Sequence, residues 1–136
     1  MVSYNENGKK LASIVCVVIG SDVDVRSDLK AALVACGVEN IFEAGDAETA
    51  LRFLLGRHID LILVDEDLGI VTGPEFIRFV KSGKGPGKNR DTPAIVVGKA
   101  GPAAMLETIR NVGAAAYLAT PVEPGKLYDT ICRVIF

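Results

Sequence analysis

The chain has 136 residues, 49% hydrophobic and 24% charged, a balance that fits one folded domain with one core and excludes an intrinsically disordered chain. Fifteen Lys and Arg stand against seventeen Asp and Glu, and the net charge of -2 provides no global positive field to gather nucleic acid or anionic lipid. The longest apolar run, Ile14 to Ile19, falls far short of the ~20 residues that cross a bilayer, and Met1 to Ala12 carries no signal-peptide stretch, so a cytoplasmic protein without a membrane segment is expected.

Residues 1–12 open with the polar, aperiodic MVSYNENGKK and read as a disordered tail, leaving 13–136 as the domain. From there short apolar runs alternate with helical-period segments, five times over, the pattern of a parallel sheet covered by helices on both faces. The first strand, Ile14 to Ile19, is rich in Val and Ile and suits a central position. After Gly20-Ser21-Asp22 a helix presents Val25, Leu29, Leu33 and Cys36, with Asp22 or Asp24 as its cap and Gly37 as its stop. Ile41 to Ala44 is a weak second strand; Asp46 opens a helix whose apolar face is Ala47, Ala50, Leu51, Leu54 and Leu55, closed by Gly56.

The third strand, Leu61 to Val64, ends at Asp65, and after a polar loop over 66–72 a helix presents Phe76, Ile77 and Val80. The segment from Ser82 to Asp91, full of Gly, Pro and cations, reads as a mobile loop. Ala94 to Val97 is the fourth strand, and the fourth helix starts at Pro102, presents Met105, Ile109 and Val112, and stops at Gly113. Ala116 to Ala119 is the fifth strand; beyond Pro121 and Pro124 the last helix buries Leu127, Ile131 and Val134 or Ile135. Cys16, Cys36 and Cys132 are odd in number, widely spaced and set among apolar neighbours, which reads as buried thiols rather than disulfides or a zinc site.

Ligands of open parallel sheets bind outside the carboxyl ends of the strands, so the loops at Gly20-Ser21-Asp22, Asp65-Glu66-Asp67, Gly98-Lys99 and Thr120-Pro121 are expected to converge. Asp65 is the clearest chemical feature there, although a strand-terminal Asp also serves simply to cap the next segment. Two other motifs are set aside. Gly83-Lys-Gly-Pro-Gly87-Lys88 has three residues where a phosphate loop needs four, and His58 precedes the third strand at its amino end, opposite the site.

The element order, with DLILVDEDLGIVTG at 60–73, resembles the receiver domain of bacterial two-component response regulators over residues 13–136. The resemblance rests on Asp65, on Gly73 eight residues later, on Gly113-Ala114, on Tyr117 in the fifth strand and on Pro121 after it. It implies a flavodoxin-like, CheY-like three-layer sandwich, a five-stranded parallel sheet in the order 2-1-3-4-5 with five helices, and a cis Thr120-Pro121 bond. It also implies a non-enzymatic relay role in which Asp65 accepts a phosphoryl group from a histidine kinase.

Departures from the family pattern fall on the same pocket. Gly20 and Ser21 stand where receivers carry two metal-binding acids; Asp22, matching a third and less constant acid, is expected at the pocket mouth. No cofactor is therefore expected, and magnesium, if bound at all, would be held weakly by Asp65 and Asp67. Gly98 replaces the family's hydroxyl residue and Thr120 its lysine, so both phosphate contacts are changed. At ~2 to 4 kcal/mol for each strong electrostatic contact, two such losses slow phosphoryl transfer by several orders of magnitude.

Lys99 stands at a position small in most receivers, and its ammonium is expected to neutralise Asp65 or Asp67 unless it stays in water. Asp67 matches a residue that overhangs the pocket, where an acid would repel phosphate, unless it is merely a solvated loop residue. Tyr117 takes the place of the family's aromatic switch; with its hydroxyl partner missing it is expected to sit in a fixed surface of the fourth helix, fifth strand and fifth helix, or to satisfy its OH locally. The preferred reading is a stand-alone pseudo-receiver that signals by binding a histidine kinase or a downstream protein, or by forming a homodimer through that surface, without nucleic acid or membrane. A true phosphoacceptor at Asp65 is the alternative, and a flavin or small-molecule binder the remote third.

Overall fold

A computed structural model describes residues 10–85 and 87–136. Five strands, β1 (Val15–Ile19), β2 (Asn40–Ala44), β3 (Leu61–Asp65), β4 (Ala94–Gly98) and β5 (Ala116–Ala119), form one parallel sheet in the order β2-β1-β3-β4-β5. Each strand is followed by a helix, in turn α1 (Val23–Cys36), α2 (Ala47–Gly56), α3 (Gly73–Lys81), α4 (Pro102–Val112) and α5 (Pro124–Ile135). The expected sheet order is present, with one short helical segment at residues 10–13 beyond the five helices expected, and with a cis Thr120-Pro121 bond.

Alternating side chains of the central strands feed two apolar layers, as the period of a strand requires. Cys16, Val18, Leu61, Leu63, Ile95 and Val97 pack against Leu29 and Leu33 of α1 and Leu127 and Ile131 of α5. Val17, Ile19, Ile62, Val64 and Val96 turn the other way, onto Leu54 of α2, Ile77 and Val80 of α3 and Ile109 of α4. Both faces of β1, β3 and β4 are thus dry, which is why those strands are continuous apolar runs.

Local capping sets where the helices begin and end. The Asp22 carboxylate accepts from the backbone N–H groups of Asp24 and Val25 at 2.8 and 3.2 Å, which settles the α1 cap in favour of Asp22. Asp46 accepts from Thr49 N–H at 2.7 Å, and Thr72 and Glu75 form a reciprocal capping box on α3. Gly113 ends α4 at φ 78°, a left-handed geometry that a side chain would strain.

Three expectations need correction. Residues 1–9 of the anticipated tail lie outside the described residues, but residues 10–13 are helical and Leu11 is fully buried in the α1/α5 layer, because its side chain finds apolar cover there. Leu55 lies at the edge of the α2 stripe and is exposed, while Ala50 and Leu54 are buried. The segment 82–91 is anchored, apart from Pro86, which lies outside the described residues. It contains a 3-10 turn, Gly87–Asn89, and the buried Asn89 side chain accepts from Ile59 N–H at 2.8 Å and donates to Arg57 O at 2.8 Å and Leu54 O.

Candidate functional site

The carboxyl ends of β1, β3, β4 and β5 open on a cavity of about 470 Å³. Asp22, Asp65, Asp67, Gly98, Lys99 and Thr120 all border it, so these sequence-derived residues do converge; Tyr117, on β5, is not among its lining residues. Asp65 is the last residue of β3 and half-buried, placed by the apolar run Leu61–Val64 that precedes it. Burial pushes its carboxyl above the ordinary aspartate range, the neighbouring Asp67 and Glu66 carboxylates push the same way, and a hydrogen bond from Asp67 N–H at 3.2 Å opposes them.

The expected neutralising cation does not meet this carboxylate. Lys99 borders the cavity and is exposed, but among the described residues it forms no ion pair with Asp65 or Asp67. A lysine stem is long and its ammonium strongly hydrated, so the head stays in water unless burial or geometry holds it. Asp67 turns its Oδ1 back onto its own loop, where it accepts from Gly69 N–H at 2.8 Å, and its carbonyl accepts from Ser21 Oγ at 3.5 Å. Thr120 N–H donates to Gly98 O at 2.9 Å.

Magnesium asks for an octahedral shell of hard oxygens, and Gly20 and Ser21, at the end of β1, bring no carboxylate to it. At position 20 there is no side chain at all, and a β-carbon placed there would lie 3.8 Å from Asp65 Cβ, beside the stem of Arg26. Arg26 Nη1 donates to Gly20 O at 2.7 Å, which puts a cation on the backbone oxygen nearest the missing ligands. Among the described residues no group of three or more acidic, His or Cys side chains is arranged to hold a metal.

Glu66, the residue after Asp65, lies in the loop expected at the site but carries no role of its own in the sequence reading, and the structure holds its side chain by two hydrogen bonds. Asp65 pairs in register with Val97, which sets Glu66 beside Gly98, and Glu66 N–H donates to Val97 O at 2.7 Å. Its carboxylate Oε1 accepts from Ala100 N–H at 3.0 Å and from the Tyr117 hydroxyl at 2.9 Å. The same hydroxyl accepts from Gly101 N–H at 3.2 Å. Burial, then the bond to Glu66, raises the Tyr117 phenol above the usual tyrosine range. A long acid directly across from a glycine on the neighbouring strand was the available signal, and it becomes visible only once the register is known.

The candidate residues thus meet at the carboxyl ends of the strands, around Asp65. A family model described as "Response regulator receiver domain" matches residues 16–132. The chain belongs to the response regulator receiver domain family. The receiver fold is shared with chemotaxis response regulator CheY4 of Vibrio cholerae, 23% identical with a TM-score of 0.74 over 90% of this chain and 99% of that one. A CheY-like receiver domain protein of Methanospirillum hungatei, 24% identical, superposes with a TM-score of 0.72 over 90% of this chain and 94% of its own. A receiver domain protein of Clostridium thermocellum, 20% identical, gives 0.76 over 90% and 94%. A search of curated proteins finds no match. No helix among the described residues of this receiver is long and apolar enough to cross a membrane.

Proposed function

We propose that this receiver domain signals chiefly by protein docking, with Asp65 a poor phosphoacceptor, no resident cofactor and no catalytic turnover of its own. The supporting observation is the electrostatics around Asp65. Its half-buried carboxylate has two acidic neighbours, Glu66 and Asp67, and lacks a paired cation among the described residues. Phosphoryl transfer needs charge neutralisation at the acceptor, and a half-buried pocket whose acidic neighbours add negative charge around Asp65 works against it. The docking surface in this reading is the face of α4, β5 and α5, and its partner is a histidine kinase, a downstream signalling protein or a second copy of the chain, within the cytoplasm.

The alternative, an authentic phosphoacceptor, draws on one specific observation: Lys99 borders the same cavity as Asp65. A titration with magnesium and beryllium fluoride, followed through the backbone amides of Asp65 to Asp67, separates the two. The docking reading expects no saturable shift at millimolar metal and retained partner binding in Asp65→Ala. Saturation in that range, with partner binding lost in Asp65→Ala, establishes the acceptor instead.

A further inference from the structure

Gly98 and Glu66 compete for one volume. A β-carbon built on Gly98 would overlap the Glu66 carboxylate, its Cδ and its Cγ, so the acid occupies space that any side chain at 98 would claim. That placement lets Glu66 Oε1 collect the Ala100 N–H and the Tyr117 hydroxyl together, at 3.0 and 2.9 Å, while the hydroxyl also serves Gly101 N–H at 3.2 Å. The β4–α4 loop and β5 are thereby tied to the residue adjoining Asp65. Bonds to an ionised acceptor are stronger than neutral ones, and swinging Tyr117 away would leave the partly buried Gly101 N–H without its acceptor. The tyrosine ring also packs against the α2/α3/α4 apolar layer, which favours the same position.

We propose that Glu66 is a resident lock: it stands in for the absent side chain at position 98, holds Tyr117 against the β4–α4 loop, and keeps the α4–β5 surface in one conformation without any event at Asp65. The proposal deepens the docking reading, since that surface is the one assigned to partners, and it supplies a reason for the surface to be constitutive. The lock is specific to the pairing of a glycine at 98 with a glutamate at 66. Either Gly98→Ala, which expels the carboxylate, or Glu66→Ala, which removes it, opens the same lock.

The test uses the full chain, with amide exchange of Ala100 and Gly101 and the ring carbons of labelled Tyr117 read by NMR, and with neither a phosphoryl donor nor a partner added. Gly98→Ala and Glu66→Ala are each expected to speed exchange at Ala100 about five- to tenfold and to shift Tyr117 and Gly101 the same way. The double variant is expected to go no further than either single one, and Glu66→Gln, which keeps an oxygen acceptor, to stay close to the parent. Independent, additive effects of the two substitutions, or unchanged Ala100 and Tyr117 signals in Gly98→Ala, overturn the lock. Should the alanine variants fail to fold, Tyr117→Phe decides: Gly101 exchange must rise while Ala100 stays protected, and an unchanged Gly101 counts against the proposal. Because no partner or phosphate enters, failure of the lock leaves the docking reading standing, and failure of that reading leaves the lock measurable.

Discussion

Gly73 lies against the carbonyl oxygen of Asp65, so close that a β-carbon on Gly73 would overlap that oxygen and come within 3.2 Å of Glu66 Cα. The approach is fixed by a hydrogen bond from Gly73 N–H to Glu66 O at 2.9 Å. The start of α3 therefore braces the strand end that carries Asp65 and Glu66, and both are backbone contacts that cannot move aside as a flexible side chain would. Gly73→Ala is expected to cost about 1–3 kcal/mol by overpacking, seen as a lower urea midpoint with unchanged slope, and to shift the Glu66 amide.

Asp65 sets a second expectation through its proton. Its pKa in the folded state is raised above the ordinary 3.8, by burial first and by Asp67 and Glu66 next. Where the unfolded chain has lost this proton and the folded chain still holds it, stability falls as pH rises; the contribution is whole below the unfolded pKa and gone above the folded one. At about pH 7 the ionised Asp65 thus burdens the fold, and Asp65→Asn is expected to unfold at higher urea than the parent, the advantage vanishing near pH 3. Urea titrations at the two pH values measure it.

The phenol of Tyr117 gives a third. Glutamine at position 66 can still accept the tyrosine hydroxyl but carries no charge, so Glu66→Gln is expected to lower the Tyr117 midpoint while burial keeps it above the usual tyrosine range. A pH titration of labelled tyrosine ring carbons reads this directly. An unmoved midpoint in Glu66→Gln would show that the carboxylate charge does not act on Tyr117.

Asn89 holds the base of the molecule, at the end opposite the site. Besides its bonds to Ile59 N–H, Leu54 O and Arg57 O, it accepts from Thr92 Oγ1 at 3.2 Å, and its removal orphans the N–H of the fully buried Ile59. Asn89→Ala is expected to cost about 2–4 kcal/mol, measured by chemical denaturation, with little change in the amides around Asp65.

What could be read in advance follows from range along the chain. The apolar runs Ile14 to Ile19, Leu61 to Val64 and Ala94 to Val97, the cap at Asp46 and the stop at Gly113 are local signals, and each acts within a few residues of where it is written. The convergence of Asp22, Asp65, Gly98, Lys99 and Thr120 follows from strand order alone. Glu66 and Asn89 resemble ordinary polar loop residues because their partners lie far off, Tyr117 at 51 positions from Glu66 and Leu54 at 35 from Asn89. The direction taken by the Lys99 ammonium was equally illegible, since the choice between a carboxylate and water depends on rotamer and solvation rather than on spacing.

Incubating the purified chain with acetyl phosphate and millimolar magnesium, and following its intact mass, reads out whether Asp65 is a poor phosphoacceptor. The unmodified mass is expected to persist, with at most a trace of adduct and the same result for Asp65→Ala. Rapid, near-stoichiometric gain of one phosphoryl group, lost in Asp65→Ala, would contradict it.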